Sequence, residues 1–341
     1  MGKRPSEHCS FLTRQQRRFR NFRRWLLGKC ALPAAWLLPR LPLSVLKTLG
    51  RIPSRILYLR SRTKIEPRLR RALGEGLDRA ACRKLIKRSC DNLADSMAEA
   101  IYGTHHGVDQ VLHGRLDDAA ARAKVRALDQ RCDRGWIAVT GHIGRWELMP
   151  HWLSSTLEME RILVFAKRMP NPHVNKIVED LRRNLSAATI YQDESPSPAI
   201  RRLRNGETIG IVPDQDVKTL SGMFVDFFGK PAYTPVGPAR LALAAGGVPI
   251  LPMFMVREGK RLVVKCSEPI FADPTHSRAE QIKNLTEQWS KAIEDFVREH
   301  PDQWQWIHDR WKTTPANLES WGRQRLTLAT TEAPSVAATE S

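Results

Sequence analysis

The sequence predicts an α/β fold with a mixed, mainly parallel central sheet flanked by helices, preceded by a basic amphipathic helical arm. Short apolar runs of strand length alternate with stretches of helical periodicity, and nearly all of the excess charge is confined to one end of the chain. The strand-like runs are 136–140, 161–166, 188–191, 208–212, 248–256 and 261–265. Helical stretches fall between or after them at 143–153, 172–185, 196–205, 235–246 and 277–299. Strands alternating with helices are what crossover connections between parallel strands produce, and functional groups in such sheets gather beyond the carboxyl ends of the strands. Ahead of the first run, Leu77, Ala81, Leu85, Ile86, Leu93, Met97 and Ile101 recur at helical spacing, and 117–130 reads as a second helix.

Charge divides the chain. Residues 1–74 hold 19 Lys and Arg against Glu7 and Glu66, so that +17 of the +19 net charge lies there and the other 267 residues are nearly balanced. Apolar residues such as Trp25, Leu26, Trp36, Leu37, Leu43 and Leu46 lie among these charges, interrupted by Pro33, Pro39 and Pro42. The longest charge-free run here, 30–39, is ten residues, about half of the roughly 20 needed to span a bilayer. The pattern predicts interfacial helices over 19–60, with apolar faces in the headgroup boundary and Arg and Lys on anionic lipid. The same pattern also fits a basic helical pair packed on the domain. No apolar stretch followed by a small-residue cleavage site reads as a secretory signal. The six cysteines show no metal-binding spacing and read as reduced cytoplasmic thiols. The Thr-, Ala-, Glu- and Ser-rich stretch 322–341 reads as a disordered tail. The expected division is an arm over 1–74, a catalytic domain over 75–315 and a tail over 316–341.

At the end of the first strand stands Thr140-Gly-His-Ile-Gly-Arg-Trp-Glu147. An imidazole and a carboxylate on a strand-to-helix turn suit general-base activation of a hydroxyl. His142 would take the proton, and Glu147 would fix its tautomer and stabilise the imidazolium. The spacing alone occurs often by chance, and a solvated His/Glu pair is its commoner meaning.

The wider context adds a resemblance. Val139-Thr-Gly-His-Ile-Gly-Arg-Trp-Glu-Leu148 resembles the signature of the bacterial lipid A lauroyl/myristoyl acyltransferases, a branch of the lysophospholipid acyltransferase superfamily. Further blocks resemble the family in the same order: 165–172, the Pro-Asp-Gln-Asp loop 213–216, 224–229, 234–242, 248–252 and 301–312. The resemblance implies a glycerolipid acyltransferase-like fold. It also implies transfer of a fatty acyl chain from acyl-acyl carrier protein, or acyl-CoA, to a hydroxyl of a lipid A precursor.

On the same basis His142 and Glu147 are the catalytic dyad, and Lys167 or Arg168 fills a basic position that is usually Arg. Arg145 departs from the family, which commonly has Asn there, and could contact phosphate or the carrier protein or simply face solvent. Arg240 is a charge in the otherwise apolar helix 239–245, paired either structurally or with a substrate phosphate. With Asp214, these are the candidate substrate-binding residues. Asp214 could orient the dyad or a substrate hydroxyl, or be a plain turn carboxylate. The cluster Trp304, Trp306, Trp311 and His308 reads as core packing. No metal or cofactor is expected. The expected partners are the acidic carrier protein, the lipid A precursor and the anionic surface of the inner membrane, on its cytoplasmic face. The alternatives are a different acceptor lipid, such as a glycolipid or lysophospholipid, a non-catalytic membrane scaffold, and a nucleic-acid-binding arm that uses Phe11, Phe19, Phe22 and Trp25. The nucleic-acid reading leaves the motif series without a role, and no nucleic-acid partner is expected.

Overall fold

A computed structural model describes residues 33–74 and 76–319. The part of the arm before Pro33 and the stretch 322–341 lie outside the described residues. The helices are α1 (Leu43–Leu73), α2 (Arg79–His106), α3 (Val108–Leu112), α4 (Ala119–Arg131), α5 (Met149–Leu157), α6 (Pro172–Asn184), α7 (Ser197–Arg204), α8 (Gly237–Ala244) and α9 (Arg278–Glu299). The strands are β1 (Leu116–Asp117), β2 (Ile137–Val139), β3 (Ile162–Ala166), β4 (Ala187–Tyr191), β5 (Ile209–Ile211), β6 (Gly222–Phe227), β7 (Lys230–Pro235), β8 (Ile250–Glu258) and β9 (Arg261–Cys266).

Seven strands form one sheet in the order β1-β9-β8-β2-β5-β3-β4. All neighbours are parallel except β8 and β9, so the expected mixed, mainly parallel sheet is present. The sheet is covered on both faces, as parallel sheets are. In β8, Ile250, Phe254 and Val256 join one buried cluster while Leu251, Met253 and Met255 join the other. The first cluster includes Leu69 of α1 and Trp289 and Ile293 of α9; the second includes Val125 of α4 and Trp152 of α5. Local signals set the helix starts. Asp78 accepts from the Ala81 N–H at 2.7 Å, Asn171 caps α6 ahead of Pro172, and Ser277 with Glu280 closes a capping box on α9.

Two features depart from the sequence reading. The strands β6 and β7 form a separate antiparallel hairpin that was not anticipated. Its two turn residues, Phe228 and Gly229, have φ of 58° and 71°, the left-handed geometry that a tight hairpin demands. Phenylalanine is an unusual occupant of that geometry, so the common turn signal was weak. The second departure is α1, which runs 31 residues without interruption through Pro53 and Pro67. Proline inside a helix removes one hydrogen bond and crowds the preceding turn. Here packing outweighs that cost, because Tyr58, Ile65, Leu69 and Ala72 are buried in the main core. The later part of the basic arm is thus a packed helix of the fold, laid against α2.

A buried charge cluster fastens it. Glu99 of α2 is fully enclosed and meets Lys47 of α1 at 2.6 Å, Arg115 at 3.0 Å and Arg145 at 2.6 Å. Burial would raise the Glu99 carboxyl pKa, but the opposing charges of Arg145, Lys47 and Arg115 hold it down at about 2. Removing one member of such a cluster leaves the others charged and desolvated. Glu99→Ala is therefore expected to lower the unfolding free energy by about 3–5 kcal/mol, read as a fall in the urea midpoint. A midpoint within experimental error of wild type would show that the cluster does not hold α1 to the domain.

Candidate active site

Parallel pairing brings the site together. Strands β2 and β5 are neighbours in register, with Val139 opposite Ile211, so the loops beyond their carboxyl ends lie side by side. One loop carries His142 and the other carries Asp214, 72 residues later. The Asp214 carboxylate accepts from His142 Nδ1 at 2.6 Å through one oxygen. Its other oxygen accepts from the His142 backbone N–H and from Trp304 Nε1, both at 2.8 Å. With Asp214 taking the Nδ1–H, the imidazole keeps Nε2 as its basic nitrogen, next to the Gln215 amide, and both residues line the cavity.

The turn around His142 is fixed from outside. The Gly144 N–H donates to the Gln303 carbonyl at 3.0 Å, the Arg145 N–H to the Met255 carbonyl at 2.8 Å, and the Gln305 N–H to the His142 carbonyl at 3.2 Å. Gly144 has φ of 58°, and a Cβ there would stand 2.1 Å from the Met255 carbonyl oxygen, so only glycine fits.

Burial alone would push the His142 pKa down. The Asp214 charge and hydrogen bond, with Glu147 adding to them, outweigh that and raise it above its ordinary value. Burial likewise favours a protonated Asp214, yet His142 and the Trp304 hydrogen bond hold its pKa below the usual carboxylate range.

A cavity of about 860 Å³ opens at this point. Its polar lining includes His142, Glu147, Lys167, Arg182, Gln215 and Arg240, and its apolar wall includes Val164, Phe165, Ala166, Ile200, Ile211 and Leu241. The volume suits a long apolar chain together with a polar head.

The structure places the anticipated residues as follows. His142, Glu147, Lys167 and Arg240 line the cavity. Glu147 does not hold the imidazole; its carboxylate accepts from Arg182 at 3.2 and 3.4 Å, and Asp214 takes the orienting position instead. The reason is geometric. His142 precedes a one-turn 3-10 helix that contains Glu147, whose side chain reaches Arg182 of α6, whereas Asp214 lies just beyond the adjacent strand end. Arg145 is a correction, because it is fully buried with its Nε on Glu99 and does not line the cavity. Its Nη1 and Nη2 have no hydrogen-bond partner among the described residues. Arg168 is also outside the lining, stacked 3.8 Å over Tyr191 and paired with Asp193 and Glu194.

Three contributors were not legible beforehand: Arg182 and Gln215 at the cavity, and Trp304 as a donor to Asp214. The Pro-Asp-Gln-Asp loop was the available signal for Gln215. Its last member, Asp216, is buried and accepts from both the N–H and hydroxyl of Thr313 at 2.6 Å, binding the C-terminal segment to the site. Glu258, Glu299 and His300 bring ligand atoms within 4.8 Å of one another, but the Lys265 ammonium already bridges the two carboxylates, and none of the three lines the cavity.

The chain is similar to known proteins along much of its length. A family model described as bacterial lipid A biosynthesis acyltransferase matches residues 12–313. The chain is 25% identical over 195 residues to the phosphatidylinositol mannoside acyltransferase of Mycobacterium tuberculosis, covering 54% of this chain and 59% of that protein. It is 26% identical over 173 residues to the lipid A biosynthesis acyltransferase of Haemophilus influenzae, covering 47% and 51%. It is 30% identical over 129 residues to the lipid A biosynthesis lauroyltransferase of Escherichia coli, covering 36% and 39%. The matches thus span about three fifths or less of the length of these relatives.

The charge balance at His142 can be read directly by NMR titration of its ring. In wild type the midpoint is expected above 6.5, the ordinary histidine value. Asp214→Asn removes the main raising charge and leaves burial, which disfavours the imidazolium, so the midpoint should fall. An unchanged midpoint would show that Asp214 does not control the imidazole.

Proposed function

Because the chain belongs to the bacterial lipid A biosynthesis acyltransferase family, we propose that it transfers a fatty acyl chain from an acyl thioester to a hydroxyl of a lipid A precursor. The observation that carries this reading is His142 held at Nδ1 by buried Asp214, with Nε2 at an apolar-walled cavity rimmed by cations. His142 accepts the acceptor's hydroxyl proton as that oxygen attacks the thioester carbonyl. Asp214 keeps the ring in its productive tautomer and stabilises the imidazolium. Glu147 adds negative charge near the ring and anchors Arg182 at the cavity wall. Lys167 and Arg240 line the cavity with no salt bridge among the described residues, and they suit the anionic groups of the acceptor or of the thioester's carrier. The donor is an acyl-acyl carrier protein, an acidic partner that a basic surface attracts.

The transfer takes place at the cytoplasmic face of the inner membrane. No described helix is long and apolar enough to cross a membrane. On α1, however, Val45, Leu49, Ile52, Ile56 and Leu59 are exposed at spacings of three or four, with Trp36 and Leu37 exposed just before the helix. This stripe, together with Arg55, fits an interfacial contact with anionic lipid. Replacing Ile52 and Ile56 with Glu should greatly reduce co-sedimentation with phosphatidylglycerol vesicles. Undiminished binding would place the membrane contact elsewhere.

The relatives' names give two acceptors to compare, lipid A precursors and phosphatidylinositol mannosides. Purified protein with radiolabelled acyl-acyl carrier protein and each acceptor in turn tests the reading. The expected result is an O-acylated lipid A precursor, with turnover lowered on the order of 10²–10⁴-fold in His142→Ala. Labelling of the mannoside alone would keep the reaction and change the acceptor. Undiminished turnover in His142→Ala would remove His142 from the mechanism.

A further inference from the structure

Acyl transfer places negative charge on the thioester's carbonyl oxygen, and a site that catalyses it needs a hydrogen-bond donor aimed at that oxygen. The obvious donors would be backbone N–H groups of the turn beside the base. Four consecutive ones are already engaged. His142 N donates to Asp214, Ile143 N to the Gly141 carbonyl, Gly144 N to the Gln303 carbonyl and Arg145 N to the Met255 carbonyl. On the other loop, Asp216 N donates to His308 Nε2 at 2.8 Å. Arg182 is occupied by Glu147, and the Arg145 guanidinium is buried away from the cavity.

Lys167 and Arg240 also line the cavity, but among the described residues the cavity donor in contact with the His142 ring is Gln215. Gln215, between the two aspartates of the 213–216 loop, lines the cavity and places its Nε2 amide 3.4 Å from Nε2 of His142. With Nδ1–H given to Asp214, the His142 Nε2 is the acceptor and the Gln215 amide is the donor of this contact. The amide therefore occupies the place that a substrate hydroxyl must take. A hydroxyl that takes its place at Nε2 leaves the amide beside the acceptor oxygen, within reach of the carbonyl that this oxygen attacks.

We propose that Gln215 is a catalytic residue that covers the His142 base in the empty site and donates a hydrogen bond to the carbonyl oxygen during transfer. The inference rests on the acyl-transfer reading above. In the step, the acceptor O–H proton passes to His142 Nε2 and the acceptor oxygen bonds to the carbonyl carbon. The carbonyl oxygen takes negative charge, which the Gln215 N–H stabilises. The C–O double bond re-forms as the C–S bond breaks, and the proton on His142 passes to the departing thiolate, leaving ester, free thiol and neutral imidazole. Gln215 ends as it began. Its neighbours on the loop hold it in place, since Asp214 is tied to His142 and Trp304, and Asp216 to Thr313.

Gln215→Ala and the near-isosteric Gln215→Glu are compared with wild type and His142→Ala in the acyl-transfer assay and by NMR titration of His142. Both Gln215 variants should lose about 10²–10³-fold in kcat, with KM for the acyl donor little changed. Glu should fail although it fills the same space, because it lacks the N–H. In Gln215→Ala the His142 midpoint should rise, since a donor to its neutral form is gone. A wild type that transfers acyl chains beside a Gln215→Ala variant within threefold of it overturns the role of Gln215 and leaves the function standing. An inactive wild type overturns the function. In that case an unchanged His142 midpoint in Gln215→Ala overturns the contact with the base as well.

Discussion

A buried carboxylate must be surrounded by donors or it will not stay charged, and the Asp214 carboxylate meets that requirement with three. These are the ring of His142, the backbone of His142 and the indole of Trp304. Each donor comes from a constraint of its own. Adjacency of β2 and β5 supplies the histidine, and docking of the segment around 301–313 supplies the tryptophan. The carboxylate therefore ties together strand pairing, the turn after β2 and the C-terminal segment. The Trp304 side chain is itself buried against Phe227 and Trp306, so the donor is locked in place. Hydrogen bonds to a charged group contribute about 1.5–3 kcal/mol each, and here they also set which imidazole nitrogen is free.

A second buried charge organises the opposite side of the same turn. Glu99 is enclosed by Arg145 from the His142 turn, Lys47 from α1 and Arg115 from the approach to β1. Charge clusters of this kind add little net stability compared with apolar packing, but they are sensitive to the loss of any member. Their geometric effect is to make the turn continuous with the helix that bears the exposed apolar stripe. The turn is thus held by Asp214 in front, by Glu99 behind, and by the carbonyls of Gln303 and Met255 along its backbone. Such support fixes the position and orientation of the imidazole.

Much of the fold was legible because its signals are local. Strand-length apolar runs separated by capped, periodic helices gave the sheet, and all six expected strands and the later helices formed near their expected positions, whereas the helix expected over 143–153 starts only at Met149, after a turn and a 3-10 helix. The hairpin β6–β7 was not legible, since its turn uses Phe228 where the common signal is a small polar residue. The continuity of α1 was hidden by Pro53 and Pro67, which mark breaks in any local reading. At the site, His142 and the importance of the 213–216 loop were legible from motif and resemblance. The pairing of His142 with Asp214 in place of Glu147 was not, because no spacing along the chain reports which carboxylate a neighbouring strand delivers.

The sequence by itself determined the kinds of groups available: an imidazole after an apolar strand, a Pro-Asp-Gln-Asp loop after another, and a basic arm with apolar residues between its charges. Local periodicity and turn chemistry act over a few residues, so these are readable in order along the chain. Only the tertiary structure decided their partners. Strand order set Asp214 beside His142 and left Glu147 to Arg182. Burial turned Arg145 from an expected ligand contact into a counter-ion for Glu99. Electrostatic and hydrogen-bond partners are set by distances of about 3 Å between groups tens or hundreds of residues apart, and only folding makes those distances.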